Sequence, residues 1–268
     1  MATQLSVIGG GVMGEALIAR LLASGQFAAE VITVGEPSPA RREKLTESYG
    51  IQAVANNQAA LSGADVVLVA VKPQIFARIT PDLTWAAKQQ VSLLLSIMAG
   101  VPLTVLEAAA PTWPVIRGMP NTPATVGAGV TAIAPGQHAT VEHLQQAHDI
   151  FAAVGTVVEV PETLINAVTG LSGSGPGYVA IVIEALADGG VAAGLPRATA
   201  LQLAIATVRG TGELLQQTDM HPAILKDRVT SPGGTTIAGI AQLESSGLRS
   251  ALIQAVQAAC DRAKALGS

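Results

Sequence analysis

One cysteine, Cys260, stands among 268 residues, so the chain can close no internal disulfide. Aromatic residues are almost as scarce: two Trp, two Tyr and three Phe make up 3% of a chain that is 49% hydrophobic. The interior must therefore be built from Ala, Val, Leu and Ile. Charge is thin as well, at 13%, against roughly 25% in ordinary soluble domains. That is too little to cover a lone monomer, and it points to surface hidden in a homo-oligomer. A net charge of -4 leaves no basic footprint, which excludes nucleic acid and anionic membrane as partners.

Long apolar runs are missing too. The uncharged stretch from Val91 to Leu106 is broken by Gly100 and Pro102, so it reads as a buried strand, a loop and a helix start, too short for a bilayer core. With no basic n-region or cleavage site before the first strand pattern, a cytoplasmic protein is expected. The four histidines form no ligand set, since His143 and His148 are five apart and do not share a helix face. No metal site is expected.

The most informative feature present is the start of the chain. Residues 4–8 form a short apolar strand that runs into Gly9-Gly10-Gly11-Val12-Met13-Gly14 and then an apolar helical stretch. In G-x-G-x-x-G after a strand and before a helix, the first glycine turns the chain, the second lets backbone approach a pyrophosphate, and the third brings helix close to sheet. The helix N-terminus then offers free N–H groups and the positive dipole end to phosphates.

Strand patterns recur at Leu5–Ile8, Val31–Val34, Asp65–Val71, Val91–Ile97, Val115–Ile116, Val130–Ala134 and Thr156–Val160. Between them helices are expected at Met13–Ala23, Pro39–Tyr49, Gln58–Ser62, Pro102–Ala109 and Thr140–Val154. Such alternation predicts a mostly parallel sheet covered on both faces. After Pro161 no strand pattern remains, and helices are expected at Glu162–Thr169, Gly177–Ala193, Arg197–Gln217, Thr235–Ser245 and Leu248–Leu266. The fold class is thus α/β, with a Rossmann-type domain over residues 1–160 and an all-helical domain over 161–268. The segment from Val179 to Leu186 is apolar nearly all round and must be buried, with a second subunit as its cover.

Three further segments combine Gly, Pro and small hydroxyl residues. Ala70-Val71-Lys72-Pro73 and Met119-Pro120-Asn121-Thr122-Pro123 lie just beyond predicted strands, where open α/β sheets hold ligands; rigid strand-to-helix turns are the alternative. Ser231-Pro232-Gly233-Gly234-Thr235-Thr236 opens a helix, and its N–H groups and hydroxyls can hold a carboxylate. An ordinary capped helix start is the alternative there. Leu171–Tyr178 lacks the preceding strand that a nucleophile loop requires, and reads as a tight approach to a helix.

Together with Gly170–Pro176 and Ala185–Gly190, these motifs resemble, in order and along the whole chain, the pyrroline-5-carboxylate reductases. The resemblance implies NAD(P)H-dependent reduction of the C=N bond of 1-pyrroline-5-carboxylate to L-proline, the last step of proline biosynthesis. It implies a Rossmann domain and a helical dimerisation domain that interlocks with its twin. By position it makes Thr236 the active-site threonine beside the ring nitrogen, with Ser231, Gly233, Gly234 and Thr235 holding the carboxylate. Asp219 falls where the family can carry a Glu near the substrate amine. Cofactor contacts fall at Ile8, Gly9, Gly10, Gly11, Val12, Met13, Gly14, Glu36, Asn57, Ala70, Val71, Lys72, Pro73, Ala99, Gly100, Asn121 and Thr122.

Cofactor choice reads both ways. Glu36 ends the second strand, where an acid bonds the ribose 2'-hydroxyl and repels a 2'-phosphate, which favours NADH. Ser38, Arg41 and Arg42 favour a phosphate, Asn57 matches a family position that contacts the adenosine 2'-phosphate, and family habit implies NADPH with NADH as the alternative. Two rivals share the G-x-G-x-x-G start: a β-hydroxyacid dehydrogenase-like enzyme, disfavoured because no Lys occurs from Pro161 through Leu225, and an NADP(H)-binding redox sensor without turnover, which needs no carboxylate turn.

Overall fold

The computed structural model describes residues 3–88 and 93–267. In chain order its first elements are β1 (Leu5–Ile8), α1 (Val12–Ala23), β2 (Ile32–Gly35), α2 (Pro39–Tyr49), β3 (Gln52–Val54), α3 (Asn57–Leu61), β4 (Val66–Val69) and α4 (Phe76–Ala86). Then follow β5 (Leu93–Ser96), α5 (Leu103–Ala109), β6 (Val115–Met119), β7 (Gly129–Pro135), α6 (Val141–Ala152) and β8 (Gly155–Glu159). The helical remainder is α7 (Ile165–Val168), a π-helical turn (Thr169–Gly173), α8 (Gly175–Ala192), α9 (Arg197–Thr218), α10 (Pro222–Arg228), α11 (Thr235–Ser245) and α12 (Leu248–Gly267).

Among the described residues one eight-stranded sheet runs in the order β3-β2-β1-β4-β5-β6-β7-β8. Every pairing is parallel except β6 with β7. The strands β1, β4 and β5 are buried along their whole length, as parallel strands with helices on both faces must be. Their alternating side chains feed two cores. Val7, Leu17, Ile18, Val34 and Phe151 pack on one face, and Val67, Val69, Leu94, Leu106 and Trp113 on the other. Strand order reverses between β1 and β4, which opens a crevice beyond their C-terminal ends.

Three elements go beyond the sequence pattern. β3 has only three residues and pairs on one side, so its periodicity is too brief to read. α4 carries Pro81 in its interior, which breaks the helical signal; burial of Phe76, Ile79, Leu83 and Ala86 along one stripe outweighs that cost. α10 spans seven residues and starts at Pro222, its first N–H accepted by the His221 imidazole (Ala223 N to Nδ1, 3.2 Å). Of the expected strand Val91–Ile97, Val91 and Ser92 lie outside the described residues, and β5 covers the remainder up to Ser96.

The chain divides into two compact units, Met1–Ser174 with Ala258–Ser268, and Gly175–Gln257. The second unit has a small core of Ala187, Ala200 and Ala204. Within it α8 meets α9 so closely that a Cβ on Gly190 would stand 3.1 Å from the Cβ of Ala200. Of α8, expected to be buried all round, only Ala187 is buried within the single chain, and Ile181 is 66% exposed. Its apolar sides stay exposed in the single chain.

Candidate functional site

The glycine-rich turn leaves β1 through Gly9 at φ 104°, a conformation that a residue with a Cβ rarely adopts. A Cβ on Gly14, in the first turn of α1, would lie 2.3 Å from the Gly9 carbonyl oxygen. Helix and turn therefore close only with glycine at that position. Gly11, the N-cap of α1, makes no side-chain cap, and the space a Cβ would occupy there is open to 4 Å. An uncapped helix N-terminus facing open space fits a pyrophosphate.

Gly10 is held from both sides of its peptide. Its N–H donates to Glu36 Oε2 at 3.0 Å, and its carbonyl accepts from Arg41 Nε at 2.6 Å. The other Glu36 oxygen accepts from the Ser38 N–H at 2.9 Å. Arg41 also pairs with Glu15, which takes Lys44 Nζ at 3.1 Å and the Tyr49 hydroxyl at 3.0 Å. Burial by itself would raise the Glu15 pKa, but the hydrogen bonds from Lys44, Arg41 and Tyr49 outweigh it and hold the carboxyl below its ordinary value. Burial and the bond to Glu15 push the Tyr49 phenol up. Arg42 is engaged by the carbonyls of Glu36 and Pro37, both at 2.8 Å.

A cleft of ≈ 440 Å³ lies in this crevice, within the range of small-molecule sites. It gathers Ile8, Gly9, Gly11, Glu36, Asn57, Ala70, Val71 and Lys72 from the expected cofactor set. Gly10, Val12, Met13, Gly14 and Pro73 adjoin it in sequence without lining it. Arg78 and Ile79 line it as well. They come from α4, and recognising that helix despite Pro81 is the signal that would have found them. Asn57 Nδ2 donates to Asp82 Oδ2 at 3.0 Å, so a carboxylate of α4 orients this amide.

Ala99 and Gly100 follow β5, and Asn121 and Thr122 follow β6, along the same C-terminal edge of the sheet. They lie beyond the residues that line the cleft. The Asn121 carboxamide is engaged at both ends, donating to the Ser172 carbonyl at 3.1 Å and accepting from the Val130 N–H at 3.0 Å. Its side chain thus ties the loop after β6 to β7 and to the π-helical turn. No strand leads into that turn.

In the second unit, α10 ends in Val229, and the Thr230 hydroxyl donates to the carbonyls of Lys226 and Asp227 at 3.1 and 2.9 Å. A turn closed by Gly234 N–H to the Ser231 carbonyl, 3.0 Å, follows, with Gly233 at φ 67°. α11 then starts with Gly234 as N-cap and no side-chain cap. An ordinary Ser or Thr cap is therefore not what this turn is for. Its first-turn N–H groups and the exposed Ser231, Thr235 and Thr236 stand together at one helix end. Asp219 caps α9 at φ 49°, and α10 lies between it and the turn along the chain.

Comparison with known proteins agrees with this geometry. A family model described as pyrroline-5-carboxylate reductase dimerisation matches residues 162–266, and one described as NADP oxidoreductase, coenzyme F420-dependent, matches residues 4–100. A pyrroline-5-carboxylate reductase of Synechocystis is 55% identical over 267 residues, covering 100% of this chain and 99% of the relative. The solved pyrroline-5-carboxylate reductase of Coxiella burnetii superposes with a TM-score of 0.94 at 33% identity, covering 100% of both chains. That of Plasmodium falciparum, solved with NADP bound, gives 0.88 at 30% identity over 99% and 98% of the two chains. The chain belongs to the pyrroline-5-carboxylate reductase family, whose members are NAD(P)-dependent oxidoreductases.

Proposed function

We propose that this chain reduces 1-pyrroline-5-carboxylate to L-proline, the last step of proline biosynthesis, with a nicotinamide cofactor as hydride donor. The observation that carries the reading is the start of α11: an uncapped helix N-terminus among exposed hydroxyls, on a chain that also carries a dinucleotide-type cleft. A redox sensor has no use for such a turn.

Reduced nicotinamide, when bound, supplies the hydride for the imine carbon. The chain does the rest by positioning. The turn of Ser231, Gly233, Gly234, Thr235 and Thr236 holds the substrate carboxylate through N–H groups and hydroxyls, and the Thr236 hydroxyl stands by the ring nitrogen as it gains its proton. A protonated imine is already electrophilic, so no strong acid is required, and the gain comes from orientation. Asp219 supplies a negative charge for the cationic ring nitrogen, on a side chain shorter than the family's Glu.

NADPH is the preferred donor in this reading, with NADH accepted. The side chains of Lys72 and Arg78 on the cleft wall favour phosphate, and an NADP-bound relative supports it. Glu36 keeps NADH in use, because its carboxylate stands where a ribose 2'-hydroxyl is bonded. Ala99, Gly100 and the loop from Asn121 to Thr122 serve the nicotinamide end. The working unit is an interlocked homodimer, which covers the apolar sides of α8, and the enzyme is cytoplasmic; among the described residues no helix is long and apolar enough to cross a membrane.

Following nicotinamide absorbance with 1-pyrroline-5-carboxylate tests the reaction. Oxidation of cofactor with proline as product is expected, and tight cofactor binding without turnover would identify a sensor instead. Sedimentation at low concentration tests the dimer, and a stable monomer would remove it.

A further inference from the structure

Glu162 lies outside the cleft and outside every motif of the family resemblance, yet one of its oxygens joins three segments of the first unit. Oε1 accepts from Arg117 Nη1 at 3.1 Å and from the backbone N–H of Leu103 at 2.5 Å. Arg117 sits in the middle of β6 and is 5% exposed, with its Nε buried and unpartnered. The Glu162 side chain is 28% exposed, and an ion pair with one buried partner is weak evidence for stability, since apolar side chains of similar volume commonly do as well in its place. The pair's place in the fold points to a role other than stability.

The three joined segments supply one. Leu103 begins α5, directly after the loop that holds Ala99 and Gly100. Arg117 is two residues before Met119 and the loop that holds Asn121 and Thr122. Glu162 begins the segment that leads through α7 to the π-helical turn, where Ser172 accepts from Asn121 and where a Cβ on Gly173 would lie 2.9 Å from Met119 Cε. We propose that Arg117 and Glu162 are positioning residues that fix the rim for the nicotinamide end of the cofactor, holding the loops after β5 and β6 and the 162–173 segment in one register. The inference rests on the reductase reading above, since it assigns the pair to the hydride-transfer step. Neither residue touches the cleft where the glycine-rich turn and Glu36 meet the cofactor, so the pair acts on orientation and leaves affinity alone.

The test is a set of full-length variants assayed for imine reduction, NADPH binding by calorimetry, thermal stability, and the isotope effect with NADPH deuterated at the nicotinamide C4. E162A is expected to bind NADPH within about threefold of the parent, to lose kcat by about tenfold or more, and to show a larger isotope effect as hydride transfer becomes limiting. E162Q keeps an acceptor for Leu103 and recovers most of kcat. Because E162A strands a buried arginine and can fail to fold, R117M/E162M provides the second arm: it removes both charges, stays folded, and stays slow. Parent-like kcat, within about twofold, in folded R117M/E162M overturns the inference, as does a loss of NADPH affinity in step with kcat. A parent chain that binds NADPH but reduces no imine overturns the reductase reading instead.

Discussion

Arg41 Nε donates to the carbonyl of Gly10 at 2.6 Å while the same guanidinium pairs with Glu15. In the sequence Arg41 is a candidate for a 2'-phosphate; in the fold it is a strut between the α2 helix, the first turn of α1 and the glycine-rich turn. R41A is therefore expected to raise KM for NADH and NADPH by a similar factor, about three to tenfold, in line with loss of a partly exposed charge-assisted hydrogen bond. Steady-state kinetics with both cofactors check it. A loss confined to NADPH would make Arg41 a phosphate ligand after all.

In the proposed cofactor site Glu36 sets the opposing charge at the ribose corner. E36S removes the repulsion of a 2'-phosphate and the acceptor for a 2'-hydroxyl together, so the ratio of kcat/KM for NADPH over NADH is expected to rise by about tenfold or more. Because Glu36 also accepts from Gly10 and Ser38, affinity for both cofactors falls slightly as the turn loosens. An unchanged ratio would remove Glu36 from cofactor selection.

Gly14 tests the packing of turn against helix. A Cβ 2.3 Å from a backbone oxygen cannot be relieved by a rotamer change, so G14A must push α1 away from the turn. The expected result is a destabilisation of about 1–3 kcal/mol or more and loss of dinucleotide binding, read by thermal melts with and without cofactor.

Thr236 carries the chemical claim. T236A is expected to lower kcat by about a hundredfold to a thousandfold, the range seen when a donor to developing charge is removed, and T236S to restore much of it through the same hydroxyl. Turnover and KM unchanged in T236A would end the proposed role.

Glu15 carries a pH dependence. Its folded-state pKa lies below the ordinary value of 4.5, so it contributes stability above pH 4.5 that is lost as pH falls through the lower folded value. The drop in melting temperature from neutral pH into the acid range should be smaller in E15Q than in the parent. Equal slopes would show that the cluster with Arg41, Lys44 and Tyr49 does not favour the ionised form.

Much of this protein is legible from residue order. Alternating apolar strands and amphipathic helices point to a parallel sheet, because helices on both faces bury continuous apolar runs such as Val66–Val69 and Leu93–Leu95. Gly9, Gly11 and Gly14 mark the dinucleotide turn: backbone geometry excludes other residues at Gly9 and Gly14, and Gly11 leaves the helix start open; an apolar α8 with little charge announces an external cover. Tertiary structure decided which side chains are free. Packing brought Arg41 onto Gly10, engaged both ends of Asn121, uncovered Arg78 on a helix that Pro81 had disguised, and left α11 uncapped beside Thr235 and Thr236. Spacing tells which residues share a face, but a hydrogen bond between Glu162 and Leu103, 59 positions apart, depends on how whole elements dock, and no local pattern encodes that.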